Sequence, residues 1–172
     1  MKEPKNCIIR IASISSKIGP LFIAANDKGV FMFSFQRLNE GVRILQRKYP
    51  GAKIRTNNFA LQKNLRQIVS RLEQKRPPPT PKFDLAGTLF QKKVWRALTR
   101  IPFGKTKSYS EVAQSIGRAR ASRAVGTACA KNRIALLVPC HRVICSNGRL
   151  GNYAYGISLK KRLLDLEQAT KK

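Results

Sequence analysis

Cys140 and His141 stand side by side in the run NRIALLVPCHRVICSNGRLGNY, just after Pro139. A thiol beside an imidazole is the pairing from which an activated sulfur nucleophile is built. A free thiol ionises near about 8.5, and a neighbouring cation or base lowers that value. His141 is the single histidine of the chain, so no other side chain has an ordinary proton affinity near neutral pH. Adjacent residues point to opposite faces of a strand and do not meet on a helix. Cooperation between Cys140 and His141 therefore requires an irregular turn or a bridging water. Glu167, near the end of the last predicted helix, is a candidate to orient the imidazole, completing a nucleophile, base and orienter.

Three other readings of the same residues stay open at this level. The four cysteines (Cys7, Cys129, Cys140, Cys145) and His141 include metal-ligating types, but no pair has Cys-x2-Cys spacing, and adjacent Cys-His is a poor chelate. A cysteine hydrolase places its histidine far from the nucleophile in sequence, and this chain has no second histidine. The plainest reading of an arbitrary Cys-His pair is an inert buried thiol beside a surface imidazole.

The elements around this pair follow from periodicity. Ile134 to Val138 is an apolar run that should be buried, and Pro139 forces a break before the thiol. Upstream, Phe90, Val94, Trp95 and Leu98 share one face of a helix starting near Gly87 or Thr88. Residues 110–116 predict a short helix with Ser110 as N-cap, ended by Gly117. A second short helix follows over about 121–130, and the pair suggests a helix-turn-helix. Before these, residues 7–14, 20–26 and 30–35 read as strands, with Asp27-Lys28-Gly29 as a turn. Residues 38–48 and 59–74 read as amphipathic helices whose apolar stripes face the core. Pro77, Pro78, Pro79 and Pro81 exclude helix interior and central strand and mark a stiff, extended linker.

The charge balance narrows the partner. Lys plus Arg number 35 against 8 acidic residues, a formal net charge of +27, in a chain that is 42% hydrophobic. Such a surface attracts polyanions, nucleic acid first and anionic membrane second. Between Glu111 and Asp165 there is no acidic residue, while Arg118, Arg120, Arg123, Lys131, Arg133, Arg142, Arg149, Lys160, Lys161 and Arg162 all lie there. The second short helix is built of small residues (Ala121, Ser122, Ala124, Gly126, Thr127, Ala128, Ala130), which let a backbone approach DNA closely while long cations reach phosphates. Its lack of Asn, Gln and Arg on one face points to weakly sequence-selective binding. No apolar run reaches the roughly 18 residues of a membrane span. The start, MKEPKNCIIRIAS, does not read as a signal peptide. The expectation is a cytoplasmic protein with reduced thiols, nucleoid-associated if prokaryotic.

The sequence PCHRV at 139–143 followed by GNY at 151–153 resembles the signature of the O6-alkylguanine-DNA alkyltransferases. The resemblance runs over about residues 87–168 and includes SY at 108–109, RAVG at 123–126, Asn132 and LLDLE at 163–167. It implies an α+β fold: an N-terminal ribonuclease-H-like small sheet with helices over 1–80, a linker over 81–87, and a mostly helical C-terminal DNA-binding domain with a helix-turn-helix over 88–172. It implies direct-reversal repair, in which an alkyl group passes irreversibly from O6-alkylguanine, with O4-alkylthymine open, to Cys140 in a single turnover. The resemblance further implies that His141 acts through a water, that Glu167 orients it, that Asn132 braces the turn, that Tyr109 donates a proton to the leaving guanine, and that Arg123 takes the place of the everted base. Ser108, Ala124, Gly126, Thr127, Ala128 and Lys131 are expected on the DNA side, in the minor groove, and Val138, Val143, Asn152, Tyr153 and Tyr155 around the base. Nucleotide flipping is required because the target atom is unreachable inside a duplex.

The resemblance implies no cofactor and no metal: the zinc-binding members use N-terminal Cys and His, and only Cys7 is present there. Inactive relatives carry Trp where Cys140 stands. Tyr155 and Ala135 replace Gly and Pro of mammalian members, which bears on acceptance of bulky groups. The expected partner is double-stranded DNA bearing O6-alkylguanine, met by a monomer with clustering along DNA left open. Two rival functions remain: a non-catalytic lesion-binding or regulatory module, and a general nucleic-acid packaging protein.

Overall fold

The computed structural model describes residues 7–56 and 58–168. The first six residues of the MKEPKNCIIRIAS stretch considered above lie outside that range, as do the outermost ends of the two expected domains.

The chain opens with β1 (Ile8–Ser16), β2 (Gly19–Asn26) and β3 (Gly29–Ser34), then α1 (Leu38–Lys48), β4 (Lys53–Arg55) and α2 (Phe59–Glu73). The second half runs α3 (Leu89–Thr99), β5 (Lys107–Ser108), α4 (Tyr109–Ser115), α5 (Ser122–Ala130), β6 (Val143–Ile144) and α6 (Ile157–Leu166). The architecture is α+β.

The main sheet has the order β3-β2-β1-β4, antiparallel except for the parallel pairing of β4 with Ile8–Arg10. Side chains alternate across a strand, and β2 is apolar on both faces because both faces are covered. Phe22 and Ala24 join Ile9, Ile11 and Leu45 of α1 in one core cluster, while Leu21, Ile23 and Ala25 join Leu65, Ile68 and Leu72 of α2 in the other. The second cluster continues without a break into Leu98, Val125 and Val138, so both halves of the chain share it.

The edge of β3 is where the site is anchored. Phe33 donates its N–H to the Arg133 carbonyl (2.8 Å) and accepts from Ala135 N (2.9 Å), which fixes the segment leading to Cys140 against the sheet. Val30 N donates to the Lys82 carbonyl (2.9 Å) and Asp84 N to the Val30 carbonyl (2.8 Å), so the chain after the prolines also lies along this edge. Gly29 is required at the start of β3: its φ is +135°, and a Cβ there would sit 2.6 Å from the Lys82 oxygen.

Local expectations are refined at two places. Thr88 is the N-cap of α3, closing a capping box with Gln91. The N-cap of α4 is Ser108, not Ser110: its hydroxyl accepts from Glu111 N while Glu111 reaches back to Ser108 N, and Ser110 only shares a hydroxyl contact with it. The two extra residues at the helix start bring Tyr109 into α4. Gly117, at φ +72°, ends the helix as expected. Among the described residues no helix is long and apolar enough to cross a membrane.

Candidate active site

The turn that carries Cys140 is held by one side chain. Ile134 to Val138 is buried throughout, and Leu136 adopts a left-handed φ of +65° within it. Asn132 bridges the bend: its Oδ1 accepts from Ile134 N (3.0 Å), and its Nδ2 donates to the Val138 carbonyl (2.8 Å) and to Sγ of Cys140 (3.1 Å). After Pro139 the chain makes a single 3-10 turn over Cys140–Arg142. The backbone carrying the Cys-His pair is thus neither strand nor α-helix.

His141 is wholly buried, with Nε2 2.8 Å from Oε1 of Glu167. Arg142 closes on the same carboxylate from the other side, through Nε to Oε2 (2.8 Å) and Nη2 to Oε1 (3.0 Å), and donates Nη1 to the Ile101 carbonyl (2.7 Å). Gly104 N adds a contact to Oε2 (3.2 Å). Burial alone would raise the Glu167 pKa, but hydrogen bonds from His141 and Arg142, with their charges, bring it down to about 2. The ionised carboxylate accepts from Nε2–H, so Nδ1 keeps a lone pair, and Nδ1 is buried without a partner among the described residues. Burial holds the imidazole below its usual proton affinity, against the pull of Glu167. Burial likewise raises the Cys140 thiol, opposed by the Asn132 hydrogen bond and the charge of Lys160. The resting pair is a neutral thiol beside a neutral base.

Lys160 and Tyr109 complete the surroundings. Lys160 is fully buried on α6, its ammonium donating to the Val143 carbonyl (2.5 Å) and the Leu150 carbonyl, and lying 5.9 Å from the centre of the Tyr109 ring. Burial, then the nearby Cys129, Cys145 and Cys140, raises the Tyr109 phenol to about 12, so it keeps its proton. Gly151 makes room for that phenol: its φ is +68°, and a Cβ there would lie 3.1 Å from Tyr109 Oη and 3.3 Å from Cys145 Sγ.

Tyr109, Gly151 and Cys145 border a cavity of about 690 Å³. Cys140, Tyr109, Asn152 and Tyr153 line it, and Arg123, Gly126 and Thr127 of α5 form its mouth. Arg123, Ala124, Thr127 and Lys131 are exposed on one side of the molecule. Other expected residues sit elsewhere. Ala128 is turned into the core, where its carbonyl accepts from Trp95 Nε1 (2.9 Å), and Ser108 is a buried helix cap. Val138 and Val143 are fully buried behind Cys140, their carbonyls engaged by Asn132 and Lys160. Tyr155 packs on Tyr153 and Phe35, with ring centres 5.6 and 5.2 Å away, and lines a neighbouring groove.

Arg142 and Lys160 correct the reading of the acid-free stretch. Both were grouped with cations free to meet phosphates, and both are buried within the site. For Lys160 the signal was present: Lys160, Leu163, Leu164 and Glu167 follow the i, i+3, i+4, i+7 stripe of a core-facing helix.

Similarity to known proteins points the same way. Residues 89–169 match the family model described as 6-O-methylguanine DNA methyltransferase, DNA binding domain. The chain is 42% identical over 159 residues to the methylated-DNA–protein-cysteine methyltransferase of Methanosarcina barkeri, covering 90% of this chain and 94% of that one. It is 35% identical over 164 residues to the bifunctional transcriptional activator/DNA repair enzyme Ada of Escherichia coli, covering 95% of this chain but 46% of Ada. Its fold superimposes on Mycobacterium tuberculosis OGT in complex with DNA with a TM-score of 0.75 at 35% identity, covering 92% of each chain.

Proposed function

The chain belongs to the methylated-DNA–protein-cysteine methyltransferase family, and from that premise we propose that it repairs DNA by drawing the alkyl group of O6-alkylguanine onto Sγ of Cys140. The observation that supports this most is the setting of that sulfur: it borders a cavity shared with Tyr109, receives the Asn132 amide, and neighbours an imidazole locked by Glu167.

In the proposed reaction the thiol proton passes through a water to Nδ1 of His141. Sγ attacks the alkyl carbon, the new S–C bond replaces the O6–C bond, and the electron pair stays on the purine. Tyr109 gives the ring its proton and recovers one from the imidazolium, so the thiol proton ends on guanine in net balance. The thioether has no good leaving group, and the protein acts once. Asn132 stabilises the developing thiolate through its N–H, and the ammonium of Lys160 favours the same charge.

The target nucleotide must leave the helix to reach the cavity. In this reading α4 and α5 form a helix-turn-helix whose small face enters the minor groove of the duplex, and Arg123 fills the gap in the stack. The protein acts as a monomer in the compartment that holds the DNA, the cytoplasm. The division into units over 1–80 and 88–172, joined at 81–87, belongs to this proposal too. The test is recovery of normal guanine in a methylated duplex: wild type restores it stoichiometrically, while Cys140→Ala binds the duplex and restores none. Restoration by the variant overturns the assignment.

A further inference from the structure

A second concavity, of about 480 Å³, opens beside the reaction cavity, and Ala130 and Ala154 line both. Its walls combine half-buried rings (Phe31, Tyr49, Tyr155) with exposed cations (Arg47, Lys48, Arg133). Arg47 and Lys48 occupy the last turn of α1. Among the described residues, none of these three cations is hydrogen-bonded or ion-paired through its side chain; Lys48 lies over the Tyr49 ring at 5.5 Å. A single carboxylate, Asp84, lines the adjoining hollow.

We propose that this groove holds an unpaired segment of the DNA strand leading away from the reaction cavity, with phosphates on Arg47, Lys48 and Arg133 and bases against Phe31, Tyr49 and Tyr155. Cations that track a backbone beside aromatic rings are the recurring chemistry of single-strand binding. Inside a duplex the base faces are covered by stacking, so along a strand the aromatic wall serves unpaired nucleotides. A second copy of this chain would bring a net charge of +27 onto three unpaired cations. The groove also begins at the C-terminal end of α5, the helix assigned to DNA, so a strand passing the cavity mouth reaches it without a gap. The inference rests on the DNA-repair reading for its direction only, and lesion-free binding is measured apart from alkyl transfer.

The test compares full-length wild type with Arg47→Gln/Lys48→Gln on three lesion-free probes: a blunt duplex, the same duplex with an unpaired tail, and a single strand. A second double variant, Lys63→Gln/Arg66→Gln, removes equal charge from exposed positions of α2. The groove variant should lose roughly tenfold in affinity for the tailed and single-stranded probes, with the salt slope for the single strand falling by about 1.4 and blunt-duplex binding unchanged. The α2 variant should leave the preference for unpaired DNA intact. A photoactivatable base in the tail should cross-link to Phe31 or Tyr49. Equal losses on all three probes, no loss, or cross-links confined to α2 overturn the proposal. Methylation of Cys140 by free alkylated guanine base, read separately, reports whether the repair reading itself stands.

Discussion

Nε2 of His141 lies 2.8 Å from Oε1 of Glu167, both side chains are shut off from solvent, and Nδ1 of the same imidazole has no partner among the described residues. This relationship sets the tautomer: the anion holds the Nε2 proton and the lone pair faces the other way. Replacing Glu167 by Gln removes the anion while keeping the shape. The single-turnover transfer rate should fall by roughly 100-fold or more, the scale of a general base that has lost its setting. Quenched-flow measurement with a methylated duplex checks this, and an unchanged rate would mean Glu167 only packs.

Arg142 carries two hydrogen bonds to Glu167 and one to the Ile101 carbonyl. Arg142→Met leaves a buried carboxylate without its guanidinium partner and should destabilise the fold by about 3–5 kcal/mol. Urea denaturation measures it. A loss below roughly 1 kcal/mol, the range of exposed pairs, would show the clamp to be dispensable.

Stability should peak between pH 6.5 and 9. Burial keeps folded His141 neutral below its usual 6.5, so the unfolded chain binds the extra proton and stability falls as pH drops through that value. Glu167, held at about 2 against its usual 4.5, adds a further loss between those limits. Burial keeps the Cys140 thiol protonated above its usual 9.0, so the unfolded chain loses its proton first and stability falls again on the alkaline side. Urea midpoints across this range report the profile; a midpoint that rises on acidification from pH 6.5 contradicts it.

Arg123 stands exposed at the cavity mouth. Arg123→Ala should slow repair of a lesion inside a duplex by roughly 10-fold or more, since unstacking a base costs a few kcal/mol, and should leave reaction with the free alkylated base unchanged. Parallel kinetics on the two substrates decide it; equal slowing of both removes the wedge role.

Much of the site was readable before the fold. The apolar run and the proline before Cys140 pointed to a break in regular structure there, and a single 3-10 turn is what forms. The three main strands and both N-terminal helices follow from periodicity. What escaped depends on pairing across the chain. β4, β5 and β6 span two or three residues each, too few to leave a period. Arg142 was hidden by the abundance of cations around it: where most Lys and Arg face water, composition does not distinguish the one whose partner is 25 residues away, whereas Lys160 was marked by its place on the core-facing stripe of its helix. Ser108 outcompetes Ser110 as N-cap because only Ser108 lies three residues before Glu111.

The most direct measurement is the intact mass and peptide map of the protein after incubation with an equimolar duplex carrying O6-methylguanine. The account predicts a gain of one methyl group per chain, located on Cys140, with none on Cys129 or Cys145, which line the same cavity. A protein of unchanged mass, or a methyl group on either of the other two thiols, contradicts it.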